Sequence, residues 1–365
     1  MKGFDKIKLY NNMRSAARQA LISLIAVAVA LAVGMVIIAM LHIDPFLAIK
    51  NMFVGALGNK SSISETLIKM TPLLFTGMSY ALASRCGLTN IGMEGQLYIG
   101  ALCTTIAGIY ISGLPSFLHI PVCMLCGFLG GGFYGWIVGV LKVKSGASEI
   151  ITTVMLNTVA INLVSYMVNG PIAEPPGQMS QSYPILSSAQ LPRILPGTRA
   201  HLGILIALVF VALFYVFLWK SKKGYEIRVS GQNERAALYS GVNTNRNILL
   251  IMLLAGGLSG LAGANEIMGI QGRLTPQISP GYGFDGIAVA LIGANTPVGV
   301  IVGAVLFGIL RAGGNMMQMT TGVPSIIISV IQAVVILMVV SSNYFIDWSA
   351  ARSEKRRNAE RRGEE

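Results

Sequence analysis

An all-α, polytopic membrane protein is the fold class this sequence predicts. Three observations carry the prediction: 53% of the 365 residues are hydrophobic, only 12% are charged, and uncharged apolar runs of membrane-spanning length recur along the chain. Ala20 to Leu41 is the first such run, 22 residues long, enough for about 33 Å of helix against a hydrocarbon core of about 30 Å. A soluble chain would need roughly twice the charge to cover its surface. Lipid therefore replaces water over much of this one. The run is longer than the apolar core of a signal peptide and is read as a retained helix.

Further apolar segments follow near 64–83, 95–113, 117–141, 150–169, 202–219, 248–266, 281–294, 298–312 and 324–343. The count is about ten transmembrane segments, or eight if the weakest do not span. Both are even, so both termini lie on one side. With the amino terminus inside, 20 of the 27 lysines and arginines fall in cytoplasmic segments, as the positive-inside bias requires. The chain divides into a basic amino-terminal segment (1–19), a transmembrane domain (20–343) with a cytoplasmic segment at 220–247, and a charged tail (344–365). The net charge of +12 sits in short connections and at the ends. That pattern points to anionic lipid headgroups and away from nucleic acid.

Two stretches interrupt the apolar pattern. Residues 85–96, Arg-Cys-Gly-Leu-Thr-Asn-Ile-Gly-Met-Glu-Gly-Gln, hold three glycines and several polar groups, and Gly293-Ala294-Asn295-Thr296-Pro297 divides the last third. Non-helical backbone is tolerated at membrane depth only where protein or a water-filled cavity receives its polar groups. One break in each half suggests broken helices within internally repeated halves. Small-x-x-x-small spacings, Gly127 to Gly131 and Gly299 to Gly303, predict close helix crossings.

Glu94 and Asp285 each border an apolar segment. A charge in hydrocarbon costs several kcal/mol, at about 2.5 or more, unless paired or hydrated, so each faces a cavity, a partner or the interface. Asn90, Gln96, Asn157, Asn162 and Gln332 are neutral donors and acceptors in apolar surroundings. Each can bond a neighbouring helix or a neutral polar solute. Together with Glu94 and Asp285 they form the candidate translocation path. No cluster suggests a catalytic or metal site: Cys86, Cys103, Cys123 and Cys126 lack companion ligands and read as small buried hydrophobes. Gly281 to Gly286 formally matches a dinucleotide fingerprint but precedes a membrane segment. The chain has no Gly-x-x-x-x-Gly-Lys-Ser/Thr loop for nucleotide phosphates. Energy for transport comes from a partner or an ion gradient.

In the 220–247 segment, Asn233 is placed to cap a short helix through Ser240, with Glu234 and Arg235 in its first turn and Gly241 as terminator. Such a helix is expected to expose Ala236, Ala237 and Tyr239.

At Gly87-Leu88-Thr89-Asn90-Ile91-Gly92-Met93-Glu94-Gly95-Gln96, at Gly231 to Gly241 and at Gly281 to Gly293 the chain resembles the inner-membrane permease subunits of bacterial ABC importers of the ribose, branched-chain amino acid and nucleoside type, most of all the nucleoside subgroup. The resemblance covers nearly the whole chain and departs at the basic tail, 353–365. It implies that Gly231, Asn233, Glu234, Arg235, Ala236, Ala237, Tyr239 and Gly241 form the coupling segment that docks on a cytoplasmic ABC ATPase. It further implies an external solute-binding protein, a second permease that is related or identical, and no cofactor in this chain, with ATP and Mg held by the ATPase. The implied function is alternating-access import of nucleosides across the bacterial cytoplasmic membrane. A simple-sugar permease and an ion-coupled carrier of a small polar metabolite are the alternatives.

Overall fold

The structure, a computed structural model, describes residues 28–175, 179–324 and 326–338. The basic segment 1–19 and the tail 344–365 lie outside the described residues. Regular structure among the described residues is helical, apart from two isolated bridges. In chain order the helices are α1 (Ala28–Met40), α2 (Pro45–Leu57), α3 (Lys60–Arg85), α4 (Met93–Tyr110), α5 (Ser116–Ser145), α6 (Glu149–Asn169), α7 (Gly203–Lys220), α8 (Lys222–Gln232), α9 (Glu234–Tyr239), α10 (Thr244–Glu266), α11 (Tyr282–Ile292), α12 (Pro297–Thr321) and α13 (Ile326–Met338). A π-helical turn, Ile267–Gln271, extends α10.

Among the described residues each apolar run of the sequence coincides with a helix, but the runs differ in kind; residues 20–27 of the first run and 339–343 of the last lie outside the described residues. Among the described residues, α5, α6, α7, α10 with its π turn, and α12 are long and apolar enough to cross a membrane. α1, α2, α11 and α13 are apolar but shorter. The count of about ten spans therefore does not follow from helix length. α2 was not foreseen. It starts because Asp44 Oδ1 accepts the Phe46 N–H at 2.9 Å and Pro45 occupies the first helical position, where its missing donor is harmless.

Contacts divide the described residues into two compact units, 28–52 with 314–338, and Phe53–Gly313. In the first, α1 meets α13 at Gly34, where an added Cβ would fall 2.6 Å from the Ile331 side chain. Asn51 Nδ2 also donates to Thr320 Oγ1 at 3.1 Å.

The second unit is built around α10, which packs on α3, α4 and α5. Its sequence Ala-Gly-Gly-Leu-Ser-Gly-Leu-Ala-Gly-Ala, residues 255–264, explains why. A Cβ on Gly260 would stand 2.2 Å from Gly127 O, and one on Gly100 would stand 2.2 Å from Gly260 Cα. Hence α4, α5 and α10 cross with backbone against backbone, the geometry that small residues permit without a hydrophobic driving force. Gly127 and Gly131 act here as the sequence predicts, and Gly299 does likewise against Gly293 O, 2.0 Å from where its Cβ would be. Over the end of α10, the segment 182–191 lies along 268–274, with Ser182 N bonded to Leu274 O, Ile185 N to Gly272 O and Leu191 N to Met268 O, each at 2.9 Å.

Candidate functional site

The first break occupies residues 86–92. α3 ends as Gly87 takes a positive φ of 80°, and α4 starts at Met93 inside the protein. The first turn of any helix has N–H groups without helical partners, and here three amide side chains deal with the exposed backbone. Asn90 Oδ1 accepts the Gly92 N–H at 3.0 Å, while Asn90 Nδ2 donates to Gln96 Oε1 at 3.0 Å. From α6, Asn157 Oδ1 accepts the Gly95 N–H at 2.8 Å and its Nδ2 donates to Ile91 O at 2.9 Å. All three residues are buried. Three of the sequence-derived path residues thus meet, and they hold the break in shape.

α11 also starts inside the protein, beside the start of α4. Gly281 has φ 97°, and Glu94 Oε2 accepts the Gly283 N–H at 2.7 Å. A carboxylate at a helix N-terminus complements both the unpaired donors and the dipole. The approach requires glycine: a Cβ on Gly283 would fall 2.4 Å from Glu94 N. The first turn of α11 then presents Asp285, whose Oδ2 accepts from Arg311 Nε at 2.5 Å. Arg311 Nη2 donates to Pro280 O at 3.0 Å, and its guanidinium lies over the Tyr282 ring, 5.2 Å from the centroid. Tyr282 OH in turn accepts from Lys69 Nζ at 3.3 Å. Glu266, 3% exposed, adjoins Tyr282 and Gln271, and its Oε1 has no hydrogen-bond partner.

Five ionisable side chains, Lys69, Glu94, Glu266, Asp285 and Arg311, therefore gather around the start of α11. Glu94 and Asp285 were read from the sequence; Lys69, Arg311 and Glu266 were not. Their signal was present, since each is a charge inside or at the end of an apolar run, which by its cost marks a buried polar site. Of the other candidates, Asn162 is exposed on α6 and makes none of these contacts. Gln332 lies on α13 in the other unit, buried, with Nε2 unpartnered.

Between α10 and α7 sits a smaller polar group. His201 Nδ1 accepts the Gly203 N–H at 3.2 Å, and the ring fills the space that a Cβ on Gly269 would take. Burial pulls its pKa down to about 4, so the imidazole is neutral near pH 7.

In the 220–247 segment the expected short helix is present as α9. Asn233 Oδ1 accepts the Ala236 N–H at 3.0 Å, and Gly241, φ 76°, ends it. Gly231, Asn233, Glu234, Arg235, Ala236 and Gly241 are exposed, and Tyr239 is 94% exposed. Ala237 corrects the expectation: it is fully buried. It sits one face away from Tyr239 and anchors α9 to its own chain, leaving Leu238 and Tyr239 as the exposed apolar pair.

A helical bundle of apolar, membrane-length helices with two helices that begin inside it fits a transport permease. The chain belongs to the branched-chain amino acid transport system / permease component family, whose model matches residues 62–340. It is 35% identical to the guanosine ABC transporter permease protein NupP of Bacillus subtilis over 88% of this chain and 93% of that one. It is 36% identical to a glucose ABC transporter permease protein of Haloferax volcanii, covering 88% and 87% of the two chains. With the nucleoside ABC transporter permease protein NupB of Lactococcus lactis it shares 31% identity over 90% and 92%. As a permease component the protein is an integral membrane transport subunit and not an enzyme; ATP binding belongs to another subunit.

Proposed function

We propose that this chain is the permease subunit of an ATP-driven importer that passes nucleosides from an external solute-binding protein to the cytoplasm. The observation that carries this reading is the similarity to guanosine and nucleoside permeases at 35% and 31% identity over about nine-tenths of the chain. The full assembly pairs this chain with a second, related permease and a cytoplasmic ATPase that holds ATP and Mg. About ten segments cross the bacterial cytoplasmic membrane in internally repeated halves, with both termini inside.

The solute path follows the internal starts of α4 and α11. Asn90, Gln96 and Asn157 fix the first half-helix; Glu94 and Asp285 mark where it meets the second, and Gln332 and Asn162 are the outlying members. Nucleosides are neutral, and the polar groups around Tyr282 offer hydrogen-bond donors and acceptors to their hydroxyls. Low affinity suffices, because a binding protein delivers the solute and the permease alternates access. On the cytoplasmic side α9 is a capped, rigid knob with Leu238 and Tyr239 outermost, suited to an apolar groove on the ATPase. Gly231, Asn233 and Gly241 shape the knob, while Glu234, Arg235 and Ala236 rim it and Ala237 secures it.

A simple sugar is the second reading, favoured by the 36% identity to a glucose permease. The test is uptake of labelled guanosine, adenosine, uridine and ribose into vesicles holding the permeases, the ATPase and the binding protein, with and without internal ATP. ATP-dependent nucleoside uptake is the expected result. Uptake of sugar alone would transfer the chain to the sugar branch, and uptake driven by an ion gradient without the ATPase would overturn the proposal.

A further inference from the structure

The two breaks are joined by one side chain. Arg85, the last residue of α3, donates from Nε to Asn295 O at 2.9 Å and from Nη2 to Ala294 O at 3.0 Å. Those carbonyls belong to the turn between α11 and α12, where Ala294 and Asn295 hold positive φ angles of 48° and 52°. Left-handed backbone costs a non-glycine residue about 1–2 kcal/mol, so the turn needs outside support. Asn295 Nδ2 adds a bond to Ser84 Oγ at 2.9 Å. The fork of a guanidinium suits two adjacent carbonyls; the point charge of a lysine does not.

The same arginine faces the cytoplasmic segment. Its guanidinium lies over the Trp219 ring at 5.5 Å from the centroid, and Arg228 of α8 lies over that ring at 5.8 Å. Beside them α8 touches the first break through bare backbone. A Cβ on Gly231 would fall 2.3 Å from Arg85 O and 2.8 Å from Gly87 N. Gly231 is two residues before Asn233, which ends α8 and caps α9. A displacement of α9 therefore reaches the end of α3 with no side chain between to absorb it, and Arg85 hands it on to the α11–α12 turn.

We propose that Arg85 is the positioning residue that transmits movement of the α8–α9 segment to both half-helices, so that α4 and α11 rearrange together. The proposal rests on the docking role assigned to α9. Arg85 contacts neither solute nor nucleotide in this scheme; it acts through Ala294, Asn295 and the Gly87–Gly231 contact.

The test uses the reconstituted complex with its ATPase and binding protein. Arg85→Lys keeps the charge and loses the fork. Loss of a charged hydrogen bond predicts a drop in ATP-driven uptake of about tenfold or more, while ATPase co-purification and hydrolysis without solute stay at the parent level. Hydrogen exchange of the 290–296 amides should respond to a non-hydrolysable ATP analogue in the parent complex and not in Arg85→Lys. Parent-level uptake together with a parent-like exchange response in Arg85→Lys would overturn the linkage and leave the docking of α9 standing. Tyr239→Asp reads the docking separately: undiminished ATPase co-purification in that variant would overturn both. Should Arg85→Lys not assemble, Arg85→Gln serves instead, since its amide can donate to one of the two carbonyls but cannot fork across both. A several-fold fall in uptake is expected there, and parent-level uptake overturns the linkage.

Discussion

α4 and α11 both begin inside the protein after a glycine-containing break, yet they solve the same backbone problem with opposite chemistry. The start of α4 is tied down by neutral amides, Asn90, Gln96 and Asn157, each bonding a group within hydrogen-bonding reach. The start of α11 is tied down by charge: Glu94 on Gly283 N, and Asp285 held by Arg311. An amide offers both a donor and an acceptor and can be fully satisfied in a dry interior. A half-buried ion pair offsets its desolvation cost only while both partners stay in place. The start of α4 is thus braced so that it moves only with its neighbours, and that of α11 depends on a charge balance that a moving neighbour can shift.

The strongest way to break that contrast is on the neutral side, where Asn157→Leu fills similar volume but leaves the Gly95 N–H and Ile91 carbonyl unpartnered. A cost of about 2–4 kcal/mol follows from two orphaned backbone groups. Asn157→Asp, which keeps an acceptor and loses the donor, should fall between parent and Leu. The next is to unbalance the charges. Arg311→Ala strands Asp285 in a half-buried setting and should destabilise the purified protein by about 1–3 kcal/mol, read as a lowered thermal midpoint in detergent. Adding Asp285→Asn to Arg311→Ala should restore much of the loss. A single variant as stable as the parent would mean that water already reaches the pair.

Acid probes a third buried polar group against the same background. His201 has a folded pKa near 4, below its unfolded value, so the unfolded chain binds the extra proton first as pH falls. Its contribution is fully present above about pH 6.5 and is lost progressively toward pH 4, up to about 3 kcal/mol in all. His201→Asn should remove that part of the acid sensitivity, seen as the difference between the two stability-versus-pH curves. Identical curves would place the histidine in contact with water. The smallest effect is expected at α9, where Asn233→Ala loses the cap on Ala236 N and costs about 1 kcal/mol locally. Faster amide exchange over 234–239, with the rest of the protein unchanged, is the measurement.

The breaks were legible because glycine and polar residues inside apolar runs are chemically conspicuous, and the α9 cap because Asn233 and Gly241 act over a few residues. Lys69, Glu266 and Arg311 escaped for a different reason. Each is a single charge near the margin of a run, and a one-dimensional reading assigns such charges to the interface. The fold instead brings them to one place from α3, α10 and α12. Ala237 failed similarly: helical periodicity gives its face, but only the packing of α9 against its own chain says that this face is covered.

Composition and apolar run length by themselves determined that this protein is a helical membrane bundle, where its apolar helices other than α2 fall, and that backbone breaks lie at 86–92 and 293–296. Those properties come from local hydrogen bonding and transfer free energy, which depend on residues close together in the chain. Tertiary structure decided which charges are partners, that the amides of the path brace a break, and that Arg85 touches both breaks and the cytoplasmic segment. These contacts join residues up to about two hundred positions apart, through glycine crossings that place backbones together, and no local pattern encodes which distant backbone will be there.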